Sequence, residues 1–449
     1  MVYARNIEKS LMDWKQSNYR KPLVLRGARQ VGKTTAIHLF AKQFKQYIAL
    51  NLETTDAEWF RGEKDIHQLV DRLFFEKQLL KEEYDTLIFI DEIQEVPEAL
   101  NMLRYFYENY PQYCVIAAGS LLESLFDTKV SFPVGRVDYL YMYPFNFAEF
   151  LAAIGETSAL QAYRTIPVPT YAEDRLLRLF KIYALVGGMP EAVSRYADTH
   201  DLVQLNPVFD SLLVSYIDDV EKYTNSSSQI DVMRHCVRAC FTEAGSRIKF
   251  AGFGNSSFPS RSVSTSLKTL TKALLIHLTY PTTQLTNPFS PDYKRSPRLQ
   301  VLDTGMLNYF SGVQQEAFMS DDLTNVYKGQ LIEHLVGQEL TSISDNFLEP
   351  LHFWVREKKG SNAEIDYLLP TPNGMIPIEV KSGAIGHLKS LIQYMETSSA
   401  TLAVRLYAGT YKVDNLTTPG GKSFRLVNLS YALTAQLPQY IAYLQQKNY

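Results

Sequence analysis

The run Gly27-Ala-Arg-Gln-Val-Gly32-Lys33-Thr34 constrains this chain more than any other stretch of it. An apolar segment, Lys21–Leu25, leads into it, and a segment with helical apolar spacing, Thr34–Phe44, leads out. A strand, a glycine turn of the form GxxxxGKT and a helix together make a P-loop. Its glycines let the backbone wrap tightly, so amide N–H groups face phosphate oxygens, and the helix N-terminus adds its positive dipole end. The candidate cradle is Gly27, Ala28, Arg29, Gln30, Val31, Gly32, Lys33, Thr34 and Thr35. Lys33 is expected to reach the β- and γ-phosphates of ATP, and the Thr34 hydroxyl to ligate Mg²⁺. Arg29, inside the loop, is a candidate contact to phosphate or to a neighbouring subunit.

Around this turn, strands and helices alternate: Tyr47–Leu52, Thr86–Ile90, Cys114–Ala118 and Tyr139–Tyr143 read as strands, and Pro97–Tyr107 as a helix. That pattern predicts an α/β fold with a parallel sheet covered on both faces. The strand LIFIDE, Leu87–Glu92, places Asp91 58 residues after Lys33. Four apolar residues bury it, and two acids emerge at the C-terminal end, where ligands of parallel sheets sit. Asp91 is expected to hold Mg²⁺ through water, and Glu92 to polarise the attacking water. Ser120, after the next strand, is a candidate sensor of the γ-phosphate. Arg136 is a candidate arginine finger or sensor arginine, acting in cis or, if supplied in trans, from a second copy in a homo-oligomer.

The runs RGARQVGKTT, LIFIDEIQ and AAGS, the GR before YMYPFNFAEF, and Gly187-Gly188-Met189-Pro190 recur in this order. Together they resemble the prokaryotic AAA+ ATPases of the archaeal-ATPase and STAND-like group. The resemblance implies an ATPase core over residues 1–150 and a helical lid over 151–225. It also implies adenine contacts from Gly188 and Pro190.

Net charge is −3, so the whole molecule is not a polycation. Residues 245–300, however, hold eight Lys or Arg (Arg247, Lys249, Arg261, Lys268, Lys272, Lys294, Arg295, Arg298) against one acid, Asp292. Ile230–Thr242 and Ser260–Ile276 read as helices, and Leu278–Tyr280 and Arg298–Leu302 as short strands. Helix, basic helix and β-wing over 226–312 suggest a winged helix, and the charge suggests a DNA phosphate footprint.

Residues 313–449 return to an α/β pattern. A helix, Lys328–Thr341, carries Glu333 and Glu339, and two strands follow around a turn near Asn373: Glu364–Leu369 and Ile376–Lys381. Strand alternation puts Glu379 and Lys381 on one face, and folding back at the turn brings Asp366 opposite them. Two carboxylates and a lysine at one edge suit metal-assisted phosphodiester chemistry: Asp366 and Glu379 hold Mg²⁺, and Lys381 positions water or stabilises charge. This resembles the restriction-endonuclease-like PD-(D/E)xK group, with Glu333 matching the helix acid that some members use as a metal ligand. The order of modules over nearly all 449 residues resembles a widespread prokaryotic ATPase family.

No apolar run reaches the roughly 18 residues of a membrane span, and the N-terminus carries charges where a signal peptide needs apolar residues. Cys114, Cys236 and Cys240 cannot all pair and lack zinc spacing; as reduced core thiols they suit a cytoplasmic location. Three functions fit: an ATP-dependent enzyme acting on DNA, a nucleotide switch whose nuclease-like module binds without cutting, and a small motor working on protein.

Overall fold

The computed structural model describes residues 3–119, 135–224, 226–286, 289–312, 330–344, 351–356, 363–371, 374–381 and 388–446. The chain divides into two compact units, one of residues 2–143 with 272–275 and one of residues 144–271 with 276–449.

The first unit opens on helix α1 (Ile7–Gln16), then alternates β1 (Leu23–Arg26), α2 (Lys33–Phe40), β2 (Gln46–Asn51), α3 (Ile66–Glu76), β3 (Thr86–Asp91), α4 (Pro97–Asn109), β4 (Cys114–Gly119) and β5 (Asp138–Tyr141). Local chemistry sets the helix starts. The Asp65 carboxylate accepts from the His67 amide at 2.8 Å to cap α3, and Pro97 opens α4, where a missing N–H costs nothing. The strands form one sheet in the order β2-β3-β4-β1-β5, with every pair parallel. All six residues of β3 are buried, as a strand covered on both faces requires. Ile48, Ile88 and Ile90 pack with Leu73 of α3 and Leu103 and Phe106 of α4. The chain steps outward from β1 to β2, returns through β3 and β4, and then crosses to β5 on the far side of β1. Strand order therefore reverses at β1, and the crevice beyond its C-terminal end is where a ligand fits.

The second unit begins with five helices: α5 (Phe147–Ala153), α6 (Thr157–Arg164), α7 (Thr170–Val186), α8 (Pro190–Thr199) and α9 (Asn206–Tyr223). Asn146 and Glu149 close a reciprocal capping box on α5. Two further helices, α10 (Ser227–Glu243) and α11 (Ser260–Lys272), precede an antiparallel ribbon of β6 (Ile276–Thr279) and β7 (Arg298–Val301). Helix α11 stops four residues short of the predicted end, and Leu274 then takes a positive φ of 61°. The chain continues through α12 (Thr304–Phe310), α13 (Gln330–Ser342), β8 (Trp354–Val355) and β9 (Glu364–Ile365). The last segment comprises β10 (Tyr367–Thr371), β11 (Gly374–Val380), α14 (Lys389–Thr397), β12 (Leu402–Tyr407), β13 (Lys412–Thr417), β14 (Ser423–Ser430) and α15 (Leu437–Gln446). Its mixed sheet runs β10-β11-β12-β14-β13. Leu391, Tyr394 and Met395 of α14 pack on Leu368, Ala403 and Leu426. Among the described residues no helix is long and apolar enough to cross a membrane. The three cysteines are buried free thiols, and burial raises their pKa values, that of Cys236 to about 12.

Candidate functional site

At the C-terminal end of β1 the loop Gly27–Gly32 turns into α2. Two positions need glycine for different reasons. A Cβ on Gly27 would stand 2.5 Å from the Met142 carbonyl oxygen, because Met142 donates its amide to Arg26 O at 2.8 Å and brings the end of β5 against the loop. Gly32 sits at φ 95°, a left-handed conformation that turns the chain into the helix. Lys33 is only 7% exposed, and its ammonium donates to the loop's own carbonyls, Gly27 O and Ala28 O, both at 2.9 Å. Burial lowers its pKa to about 8, against the opposing pull of Glu92 and Asp91.

Strand β3 delivers Asp91 beside this loop. The Thr34 hydroxyl donates to Asp91 Oδ2 at 2.6 Å, and the Glu92 amide donates to Asp91 Oδ1 at 3.0 Å. Burial raises the Asp91 pKa, and the Thr34 hydrogen bond works against that rise. A hydroxyl and a carboxylate oxygen this close are hard oxygen donors of the kind Mg²⁺ takes, so the residues present fit that ion. Glu92 adopts a left-handed backbone, φ 51°, and its Oε2 accepts from Gln94 Nε2 at 2.5 Å. A lysine, a hydroxyl and two acids thus meet at one rim of the sheet. Residue types of this kind are chemically suited to phosphate, to a cation and to a water molecule that needs a base.

Arg5 has no counterpart in the motif reading. It donates to Val31 O at 3.0 Å and to Tyr143 O at 2.7 Å, holding the backbone of the loop next to Gly32. A single arginine near the N-terminus offers no spacing signal that could have marked it.

Arg136 does not join this cluster. It precedes β5, whose first residue, Asp138, pairs with Leu23 at the start of β1, so it lies at the sheet edge opposite the loop. Its Nε donates to Glu108 Oε1 at 2.7 Å, a surface ion pair shared with Arg104. Ser120 lies outside the described residues.

Gly188 and Pro190 belong to the second unit. The Gly188 amide donates to Asp303 Oδ2 at 2.6 Å, and its carbonyl accepts from the Phe145 amide at 2.7 Å. The Gly188 N–H and one lone pair of its carbonyl are therefore engaged within the protein. A Cβ would stand 2.1 Å from Phe145 O, so close packing explains the glycine. Pro190 occupies the first turn of α8. Asp303, fully buried, also accepts from Met306 N at 3.0 Å, and burial raises its pKa to about 6.

A second cluster lies where β7, β9, β10 and β11 meet. Tyr367 pairs with Ile378, which sets Asp366 across from Glu379; Asn373, at the expected turn, lies outside the described residues. Asp366 Oδ2 accepts from Val380 N at 2.7 Å, and Lys381 Nζ donates to Glu379 Oε1 at 2.5 Å. Burial raises the pKa values of Asp366, Glu379 and Glu333. The Arg298 charge opposes the rise at Asp366 and Glu333, and Lys381 opposes it at Asp366 and Glu379. Burial also works against the Lys381 ammonium, but its acidic neighbours outweigh it and hold the lysine charged.

One sequence expectation, the exposure of Arg298, changes here. Arg298, counted in the basic footprint, is 4% exposed; it donates to Asp366 O at 2.9 Å and to Glu364, and stacks over Phe353 at 4.8 Å. Arg247 also turns to Glu364 at 3.6 Å, and Arg295 pairs with Asp292 at 2.9 Å. The basic patch keeps six of its eight residues exposed, Arg247, Lys249, Arg261, Lys268, Lys272 and Lys294, while Arg295 is half-buried and Arg298 buried. Glu333, expected as a metal ligand, has Oε2 4.0 Å from Arg298 Nη1. Among the described residues no three His, Cys, Asp or Glu side chains are gathered so as to hold a metal ion. Arg298 and Gln300 alternate with apolar residues on β7, the one sequence cue that they face a polar interior.

Residues 19–151 match a family model described as an AAA domain. Residues 177–317 and 328–427 match two models described as domains of unknown function, DUF8612 and DUF4143. No curated protein matches the chain. Similar solved structures include a Walker-type ATPase of Pyrococcus abyssi, 16% identical, covering 69% of this chain and 96% of that one, with a TM-score of 0.44. A STAND protein with a tetratricopeptide repeat sensor from Pyrococcus horikoshii is 14% identical, covering 78% of this chain and 47% of that one, with a TM-score of 0.29. The RuvB Holliday junction branch migration motor of Thermotoga maritima is 12% identical, covering 65% of this chain and 93% of that one, with a TM-score of 0.29. Residues 19–151 are thus similar to an AAA domain, and they carry the GxxxxGKT loop on a five-stranded parallel sheet.

Proposed function

We propose that this chain is an ATP-hydrolysing switch in which nucleotide occupancy of the P-loop controls nucleic-acid engagement by the rest of the molecule. One observation carries the reading: the Thr34 hydroxyl stands 2.6 Å from Asp91 Oδ2, beside a buried Lys33. That arrangement fits MgATP, with Lys33 on the phosphates, Thr34 and Asp91 on the ion and Glu92 on the attacking water. Residues 226–312 act as a winged helix that meets DNA phosphates through the exposed Lys249, Arg261, Lys268 and Lys294. The C-terminal module, of nuclease-like PD-(D/E)xK type, is a divalent-cation site at Asp366 and Glu379. A trans arginine finger from Arg136 of a second copy fits its exposed position.

Within this reading, a module that binds nucleic acid without cutting it is favoured. Lys381 and Arg298 already neutralise much of the acidic charge that a two-ion cutting centre would use. The test is purified protein with ATP and Mg²⁺ over a panel of DNA and RNA forms, scoring phosphate release, binding and strand scission together. Phosphate release that Lys33→Ala abolishes, with nucleotide-dependent binding that Lys249→Glu with Lys268→Glu weakens and that is steep in salt, supports the proposal. Binding to no nucleic acid, with ATPase stimulated only by a protein partner, refutes its nucleic-acid half.

A further inference from the structure

We infer that Arg298, delivered by β7, fills the cation position beside Glu333 and Glu364, so that the C-terminal carboxylate cluster takes a single divalent cation on Glu379 and Asp366 rather than a pair of ions. This rests on the reading of that cluster as a cation site and states how many ions it holds and which acids hold them.

The assignment follows from which oxygens are already engaged. Glu364 gives one carboxylate oxygen to Arg298 Nη2 and has the other 3.6 Å from Arg247 Nη1. Glu333 has Oε2 4.0 Å from Arg298 Nη1, and its backbone carbonyl accepts from the Tyr367 hydroxyl at 2.6 Å. Arg298 is not a mobile surface residue that a metal ion could push aside. It is 4% exposed, donates to the Asp366 carbonyl at 2.9 Å and lies over the buried Phe353 ring at 4.8 Å. A dication seated on Glu333 and Glu364 would meet this guanidinium at close range, where like-charge repulsion in a partly dry site is large.

The other end of the cluster is less fully engaged: Asp366 Oδ2 accepts from Val380 N at 2.7 Å, and one Glu379 oxygen stays without a donor. Glu379 is 5% exposed, yet its Oε2 has no hydrogen-bond partner; only Oε1 is held, by Lys381. A carboxylate oxygen kept this far from bulk water without a donor is costly. Asp366 stands across from it in the strand register. Mg²⁺ keeps several waters and is commonly bound by one or two carboxylates, so two acids suffice without a third protein ligand. The four acids Glu333, Glu364, Asp366 and Glu379 face three cations, Arg247, Arg298 and Lys381. Two of those cations, Arg247 and Arg298, lie at the Glu364 end, and only Lys381 is paired with Glu379.

The experiment is a titration of the full chain, without nucleotide, with MnCl₂, reading free Mn²⁺ by electron paramagnetic resonance. The count for this site is the difference between the unmodified chain and Glu379→Gln, so any ion at Thr34 and Asp91 cancels. A difference of one ion, kept in Glu333→Gln and raised to two in Arg298→Met, supports the inference. A difference of two in the unmodified chain, or loss of the ion in a folded Glu333→Gln, overturns it while leaving the cation-site reading intact. A difference of zero overturns both. If Arg298→Met does not fold, Glu333→Gln alone decides. Strand scission is not read, so an inert but metal-binding module refutes cutting and leaves the ion count standing.

Discussion

Lys33 gives the sharpest prediction because its position makes nucleotide affinity depend on pH. Its ammonium is buried against the loop carbonyls, and its pKa falls from 10.5 to about 8. Bound phosphate adds negative charge beside it and favours the protonated form, so the pKa in the complex lies above that of the free protein. Below pH 8 the free protein already carries the charge, and affinity is flat. Above it, each unit of pH must be spent reprotonating Lys33, so affinity falls up to tenfold per unit until the pKa of the complex is reached. At pH 9.5, about 1.5 units above the free value, the loss is roughly 30-fold, or about 2 kcal/mol. The assay is titration of a fluorescent ATP analogue with Mg²⁺ from pH 7 to 9.5, with circular dichroism at each pH to verify folding. Lys33→Arg, which stays charged throughout, should bind more weakly but show no such decline. An unmodified chain whose affinity stays level to pH 9.5 would refute the assignment of Lys33 to the phosphates.

Other outcomes follow from the same geometry. Glu92→Gln should keep ATP binding and slow phosphate release by ~10² or more, measured in single-turnover assays. Gly188→Ala drives a methyl group to 2.1 Å from Phe145 O; chemical denaturation should show a loss of about 2–3 kcal/mol. Glu339 is fully buried, accepts from Phe147 N and the Tyr183 hydroxyl at 3.0 Å each, and is raised by burial to about 8. An acid whose folded pKa lies above its unfolded value binds more protons in the fold, so its contribution is full below pH 4.5 and disappears as pH rises through 8. Glu339→Gln should flatten the fall in stability across that window, on the order of a few kcal/mol.

The parallel sheet and its phosphate loop were legible because each element rests on local pattern. GxxxxGKT needs its flanking strand and helix, and LIFIDE buries its apolar residues before exposing its acids. The register of Asp366 against Glu379 followed from counting residues around one turn. What sequence could not supply was long-range partnership. Arg298 reads as one more cation in a basic stretch until Glu364, 66 residues later, is brought to its guanidinium. Gly188 reads from sequence as a ligand contact alone, and the fold adds its close packing against Asp303 and Phe145. Strand direction sets Arg136 at the rim opposite its own loop, which leaves only the trans form of the proposed finger. Composition counts charges; only the fold shows which are already spent on each other.

Glu339 also bears on how this protein can be dissected. It projects from α13 into the helices that open the second unit and meets the start of α5 and Tyr183 of α7. Farther along, the Tyr440 hydroxyl accepts from Val168 N at 2.9 Å, and Glu173 Oε1 accepts from Tyr411 N at 2.9 Å. A truncation near residue 313 would strip those partners from the helices between residues 145 and 186 and leave apolar faces wet. Such a fragment should aggregate or melt early. Deletion mapping at that boundary would report a collapsed scaffold and mistake it for a lost activity.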